Sequence, residues 1–356
     1  MKILSVIGNR PQFIKAAAVS PRLREVHEEI LVHTGQHFDD ELSAVFFKEL
    51  RIPAPDRELG IALGSNTSQT SRMLGALEPL IEEFRPDVVL IYGDTNSTLA
   101  GALAGAQAGI PVAHVEAGMR SFDRSMPEEL NRVLADHASA LLLCSSEAAV
   151  ENLRQERAAG AIEMVGDVMV DIALEVQPRA RERTDLVRAR GVVPGDYLLA
   201  TAHRAGNVDR TERLERLVEL LLSLPATVVL PLHPRTRARL GQAGLLERLS
   251  DSDRVVVTPP LGYLELTALL CNARAVLTDS GGLQKEAYLA GIRCITLRPS
   301  TEWVETVEHG WNVLVDLDAQ AALRALEAPL PEARPALYGD GRAGERVRDA
   351  LTLHLR

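Results

Sequence analysis

Two apolar runs fix the architecture available to this chain, and each ends in an acid. Pro86–Asp94 carries Val88-Val89-Leu90-Ile91-Tyr92 into Gly93-Asp94, and Pro111–Gly118 carries Val112-Ala113-His114-Val115 into Glu116. Continuous β-branched and aliphatic runs of this length, bounded by Pro and Gly, read as strands buried on both faces. The segment Ser97–Gly109 between them is rich in Ala, Gly and Leu and reads as a closely packed helix. The three together form a βαβ unit, which commits the chain to a parallel sheet. In open parallel sheets the carboxyl ends of strands face the ligand crevice, so Asp94 and Glu116 are expected side by side there. Paired acids in such a place suggest proton chemistry.

The same alternation extends through all 356 residues. Strands are expected at Ile3–Ile7, Glu29–His33, Val88–Tyr92, Val112–Glu116, Ala140–Ser145 and Ile162–Val165. Helices are expected between them, at Asp40–Leu50, Gln69–Phe84 and Glu128–Ser139 among others. A second strand series follows at Tyr197–Ala202, Thr227–Pro231, Arg254–Thr258, Ala275–Thr278, Arg293–Leu297 and Val313–Val315. The Arg-rich segment Asp171–Gly195 between the series reads as a helix and then a linker ending in Pro194-Gly195. The expected fold class is therefore α/β, with two doubly wound Rossmann-like domains and a cleft between them. Residues 1–170 form the first and 171–341 the second, and a final helix over about 342–356 packs on either half.

Composition excludes several classes. The net charge of −10 is spread over mixed-sign helix faces, with no basic stripe for nucleic acid. A local basic pocket for a small anion stays open. The three cysteines are scattered in apolar stretches without a CxxC pair and are expected as buried thiols. Met1 leads straight into a strand, which leaves no room for a signal peptide, and no apolar run reaches the ~18 residues of a membrane span. HExxH and paired Cys/His spacings are missing, so no metal site is expected, and neither is a serine nucleophile, because Gly-x-Ser-x-Gly is missing.

Anion chemistry is suggested at several strand ends. Gly8–Lys15 (GNRPQFIK) is a tight turn into a helix, where amide groups with Arg10 and Lys15 would attract an anion; an ordinary turn with solvated bases would look alike. Ala275–Gly282 runs from a strand into the helix Leu283–Ala290. There Ser280, Gly281 and Gly282 offer a hydroxyl and close backbone approach to a diphosphate. Glu286, about a turn on, could accept from ribose hydroxyls; a Gly-Gly helix start needed only for packing is the alternative. His203 and His233 each close a strand of the second series and each is near an Arg, which favours anion contact over metal ligation. Glu128 and Glu129 follow Pro127 at a helix start, where acids commonly just complement the dipole. Their place just beyond Glu116 makes a third acid in the crevice plausible.

Taken in order, these segments resemble the non-hydrolysing UDP-N-acetylglucosamine 2-epimerases. The matching stretches are GNRPQFIK, TGQH at Thr34–His37, YGDTNSTLAGALA at Tyr92–Ala104, HVEAGMRSF at His114–Phe122 and MPEELNR at Met126–Arg132. They continue with His203-Arg204, LPLHPRTR at Leu230–Arg237, TDSGGLQKEA at Thr278–Ala287 and YGDG at Tyr338–Gly341. The resemblance implies a GT-B-like architecture, a cytoplasmic homodimer without metal or organic cofactor, a UDP-sugar substrate, and no membrane insertion. It implies elimination of UDP to a 2-acetamidoglucal and re-addition with protonation from the other face, the reaction that interconverts UDP-GlcNAc and UDP-ManNAc. By position it makes Lys15, Asp94, Glu116, Glu128 and His203 the catalytic set. Arg10, His233, Ser280, Gly281, Gly282 and Glu286 then bind UDP, and Gln36 and Gln69 match a second, allosteric UDP-GlcNAc site that some members carry.

Three positions depart from the family pattern. Trp303 in Thr301–Glu305 (TEWVE) replaces an arginine common in the family, Gly206 stands where relatives often have Glu, and Ser68 stands where the allosteric site has an arginine. TEWVE with LPLHPRTR resembles the branch acting on UDP-2,3-diacetamido-2,3-dideoxy-glucuronic acid, which is the alternative substrate. A GT-B glycosyltransferase is the more distant alternative.

Overall fold

The computed structural model describes residues 1–36 and 47–355. They divide into two compact units, one of Met1–Ile172 with Tyr338–Arg356 and one of Ala173–Leu337.

The first unit is built on a seven-stranded parallel sheet. Its strands are β1 (Lys2–Ile7), β2 (Glu28–His33), β3 (Arg57–Glu58), β4 (Val88–Tyr92), β5 (Val112–Ala117), β6 (Leu141–Cys144) and β7 (Ala161–Met164). They lie in the order β3-β2-β1-β4-β5-β6-β7, all pairs parallel. The helices that matter to the site are α1 (Arg10–Leu23), α2 (Asn66–Phe84), α3 (Asn96–Gln107), α4 (Pro127–Ala138) and α5 (Glu147–Gln155). Every residue of β4 is buried, as its unbroken apolar run requires of a central strand. α3 packs closely because its small residues permit it: a Cβ on Gly105 would lie 2.8 Å from Val112 and 3.0 Å from Val89.

The second unit repeats the plan with six strands, β8 (Tyr197–Thr201), β9 (Thr227–Pro231), β10 (Val255–Thr258), β11 (Ala275–Thr278), β12 (Arg293–Thr296) and β13 (Asn312–Leu314). Their order is β10-β9-β8-β11-β12-β13. Both sheets are thus doubly wound α/β, and both reverse winding direction at one place, between β1 and β4 in the first and between β8 and β11 in the second. These are the topological switch points at which such folds bind ligands.

The short strand β3 is an addition to the sequence reading; two exposed charged residues carry no apolar pattern to signal it. The helix expected at Asp40–Leu50 falls largely on residues outside the described ones, of which Phe47–Glu49 are helical. α6 (Val168–Glu182) runs from one unit into the other. The last helix, Ala343–His354, belongs to the first unit. Asp171 accepts from the backbone N–H of Ala343 (3.0 Å) and Gly344 (2.8 Å) at its start, and Gly344 approaches the Ala18 carbonyl too closely for a Cβ. All three cysteines are free and buried, and burial pushes the thiols of Cys144 and Cys294 up to about 12. Among the described residues no helix is long and apolar enough to cross a membrane.

Candidate active site

In the first unit the switch point gathers one cation and two acids. Gly8 ends β1 against α3 so closely that a Cβ would sit 2.1 Å from Ser97 Oγ and 2.2 Å from Thr34 Oγ1. The turn that follows is locked by Gln12. Its Oε1 accepts from Gly8 N–H (2.7 Å) and its Nε2 donates to the Tyr92 carbonyl (2.8 Å), tying β1 and α1 to the end of β4. Lys15, next on α1, is buried, and its ammonium forms an ion pair with Glu116. Burial alone would depress that amine. The carboxylates of Glu116 and Asp94, with Asp167 further off, more than compensate and hold it above its ordinary value. Lys15 therefore stays charged across the working pH range.

Each acid reaches this place by an unusual backbone. Gly93, with φ of 63°, turns the chain out of β4. A Cβ there would lie 2.9 Å from Lys15 Nζ, so the glycine makes room for the amine. Glu116 itself has φ of 69° and sits where the β5–β6 register slips between Val115 and Ala117. A left-handed, non-glycine residue in a bulge is a strained arrangement that re-aims one side chain. Asp94 is paired with Arg132 of α4, which also reaches Glu129 at 3.2 Å.

The acids of α4 have different surroundings. Glu129 is buried and accepts from Ser121 N–H (2.9 Å), Ser121 Oγ (2.8 Å) and Phe122 N–H (2.9 Å), and those bonds outweigh burial to hold its carboxyl below the usual range. It clamps the loop after β5. Glu128 is exposed and makes no hydrogen bond or ion pair with any described residue. Gln36 and Gln69 meet at the start of α3, just past Asp94. Gln36 Oε1 accepts from Ser97 N–H (3.0 Å) and Oγ (2.7 Å), and Gln69 Oε1 accepts from Asn96 Nδ2 (2.8 Å). Arg10 opens α1 and is half-buried.

The second unit has its own cluster at its own switch point. Asp279, fully buried after β11, accepts from the backbone N–H of His203 (3.0 Å) and Arg204 (2.9 Å) and from Asn207 Nδ2 (3.0 Å). This one carboxylate shapes the turn after β8 and holds the His203 ring, whose Nδ1 is 3.6 Å from it. His203 stacks on His233 with centroids 5.4 Å apart. Burial lowers the affinity of His203 for a proton; Asp279 opposes this, Arg204 and Arg235 reinforce it, and the imidazole is left more acidic than usual. Ser280 caps α7 (Gly281–Ala290) without using its hydroxyl on the helix. A Cβ on Gly281 would lie 2.2 Å from Glu302 Oε1, whereas one on Gly282 would meet only Ser280 Oγ at 4.0 Å. Gly281 thus packs directly against Glu302, whereas Gly282 has open space on its Cβ side. Trp303 Nε1 donates to the Gly281 carbonyl (2.8 Å), and its ring covers the Lys285 ammonium at 4.5 Å.

Glu286 lies on α7 and is buried; burial raises its carboxyl to about 7, partly opposed by Lys285 and Tyr263. The folded state therefore holds this proton where the unfolded chain, titrating near 4.5, has lost it. By linkage the stability it contributes is complete below about 4.5 and is lost as pH rises through about 7, on the order of 3 kcal/mol in all. Glu286→Gln should thus flatten this part of the pH profile and leave the protein more stable than the parent at pH 8, relative to pH 5. Urea unfolding at the two pH values measures it, and parallel profiles for parent and variant would contradict it.

Sequence does not single out Asp279 or Arg132 as functional, and it weighs Glu129 with Glu128 as a third acid in the crevice, not as the clamp on Ser121 and Phe122. Asp279 lies inside the TDSGG motif, and its burial at a strand end was the available signal. Arg132 follows Asp94 by 38 residues, and no local pattern joins them.

The family model described as UDP-N-acetylglucosamine 2-epimerase matches residues 22–352. A UDP-2,3-diacetamido-2,3-dideoxy-D-glucuronate 2-epimerase of Pseudomonas aeruginosa is 47% identical over 99% of both chains. A UDP-N-acetylglucosamine 2-epimerase homolog of Methanococcus maripaludis is 44% identical, again over 99% of both. The crystal structure of Methanocaldococcus jannaschii UDP-GlcNAc 2-epimerase in complex with UDP-GlcNAc and UDP matches with a TM-score of 0.90, at 40% identity and 99% coverage of each chain. With switch-point clusters of this kind in both units and likeness along nearly its whole length, the chain belongs to the UDP-N-acetylglucosamine 2-epimerase family.

Proposed function

We propose that the protein is a non-hydrolysing UDP-sugar 2-epimerase that interconverts UDP-GlcNAc and UDP-ManNAc. The observation that carries the reading is the Lys15–Glu116–Asp94 cluster, built on two positive-φ residues at one switch point. The C2 proton of a sugar is not acidic. When the C1–O bond to UDP breaks, the ring becomes oxocarbenium-like and the C2 proton can leave to a carboxylate, giving the 2-acetamidoglucal and free UDP. Re-addition of UDP at C1, with a proton delivered to the other face of C2, completes the inversion and balances every proton taken.

In this scheme Asp94 and Glu116 come from adjacent strands and are the carboxylates that stabilise the cationic ring and move the C2 proton. Glu128, exposed and with no partner among the described residues, is the third acid. Lys15 is held charged by its neighbours, so its part is electrostatic rather than that of a base. His203, disposed toward the neutral imidazole, donates a hydrogen bond to the departing diphosphate. Arg10, His233, Ser280, Gly281 and Gly282 bind the diphosphate and Glu286 the ribose. The reading extends to a cytoplasmic homodimer and to Gln36 and Gln69 as parts of a second nucleotide-sugar site.

A second substrate is favoured by one observation: the 47% identical Pseudomonas relative acts, by its name, on a diacetamido-glucuronate. Trp303, in the position where the family commonly has arginine, belongs to the same branch pattern. The two substrates are separated by incubating the protein with each UDP-sugar in deuterated water. Deuterium at C2 and the epimeric product should form with UDP-GlcNAc and no acceptor. Exchange confined to the uronate assigns the alternative, and no exchange with either sugar refutes the epimerase reading.

A further inference from the structure

One buried ionisable group of the first unit has no place in that scheme. His114 is fully buried on β5, two residues before Glu116. Both of its ring nitrogens face acceptors. Nε2 lies 2.6 Å from the carbonyl oxygen of Gly93, and Nδ1 lies 2.7 Å from Asp136 Oδ1. A carbonyl oxygen can only accept, so Nε2 carries a hydrogen. The other oxygen of Asp136 is filled by the Gly118 N–H at 3.1 Å and by the Arg120 guanidinium at 2.7 Å, which is the environment of a carboxylate. Burial works against that charge, but His114 and Arg120 together hold the carboxyl below its ordinary range. An ionised Asp136 has no hydrogen to give, so Nδ1 carries one too.

We infer that His114 donates from both ring nitrogens and so positions the catalytic turn, through its bond to Gly93, within a buried cluster of His114, Arg120, Asp136 and Glu156. Arg120 closes the cluster on Glu156 at 2.6 Å. At the exposed end His137 is 3.5 Å from Glu156, Arg154 and Glu147 act on the neighbouring Cys144, and burial pushes that thiol up to about 12. Gly93 is gripped from both sides, since its N–H also donates to the Val115 carbonyl at 3.0 Å. Fixing that peptide fixes the positive-φ turn on which Asp94 follows and beside which the Lys15 amine fits. The cluster thus supports the acids without touching the sugar, and a misplacement of even an ångström at such a turn costs about 100-fold in rate.

This role rests on the epimerase reading, but the protonation state does not, and the tests separate them. In the intact protein labelled with 15N-histidine, assigned by comparison with His114→Gln, both ring nitrogens of His114 should carry a hydrogen at pH 7. A deprotonated ring nitrogen at pH 7 overturns the inference whatever the enzyme acts on. Kinetically, His114→Gln leaves one donor and turns an amide oxygen toward the Asp136 carboxylate. It should lower kcat about 100-fold with KM little changed. Adding Asp136→Asn supplies a donor to that oxygen, and the double variant should recover at least tenfold. Wild-type activity in His114→Gln alone would show that the turn does not depend on this histidine, and would overturn the proposal.

Discussion

Glu116→Gln is expected to lower kcat by about 10³-fold, within the range found when a positioned acid–base group is removed, while UDP binding changes less than about twofold. The substitution keeps size and hydrogen-bonding atoms and removes only the charge and the basicity. Lys15 loses its ion-pair partner but keeps Asp94 nearby, so the buried ammonium is not left uncompensated. None of the residues proposed to bind UDP is changed. Deuterium incorporation at C2 reads the proton-transfer step directly, and calorimetric titration with UDP reads binding. An equal loss of both would show that Glu116 holds the nucleotide and would remove it from the proton chemistry. The backbone gives an independent check. Glu116 is held at φ of 69°, a conformation costing an L-residue about 1–2 kcal/mol. Glu116→Gly should therefore be more stable than Glu116→Ala by roughly that amount, both variants lacking the carboxylate. Equal stabilities would mean the strain is not real.

That strain marks where sequence stopped being informative. The apolar runs of β4 and β5 announced buried strands because central parallel strands face helices on both sides, and the acids at their ends followed from topology. The strand order was not readable. That Lys15 of α1 meets Asp94 depends on β1 pairing with β4, a contact between segments separated by some eighty residues that no local pattern encodes. Glu116 looked like the last residue of a regular strand, whereas it is the bulged residue of one. Glu128 and Glu129 were indistinguishable in a helix's first turn. Helix phase buries Glu129 as the clamp on Ser121 and Phe122 and leaves Glu128 outside. In the second unit the histidines were found by their place at strand ends. The residue that organises them, Asp279, follows a third strand and becomes visible only once β8 and β11 are neighbours. Motif resemblance supplied the identities, and pairing supplied the reasons.

Gly118→Ala should produce the largest loss of stability of any single methyl group added near the site, about 3 kcal/mol, as the sum of left-handed strain and overpacking. Gly118 has φ of 78°, and its Cβ would lie 2.3 Å from the carbonyl oxygen of Ala149 and 2.8 Å from the carbonyl carbon. Those atoms are backbone in α5 and cannot rotate away. Gly118 cannot retreat either, because its N–H donates to Asp136 Oδ2 at 3.1 Å and its carbonyl accepts from Asn152 Nδ2 at 3.0 Å. Gly109→Ala is the matched control. Gly109 has φ of 70° with nothing within 4 Å of a Cβ, so it carries the strain without the clash and should cost about 1 kcal/mol. Scanning calorimetry should place the unfolding of the first unit about 10 °C lower in Gly118→Ala and only a few degrees lower in Gly109→Ala. Equal shifts would show that α5 yields to the methyl group. A larger loss at Gly118 would identify the contact between the β5 turn and α5 as rigid. Rigidity there has a chemical consequence, because the same turn carries Glu116 two residues earlier, and a strained carboxylate keeps its aim only if the backbone beyond it cannot relax.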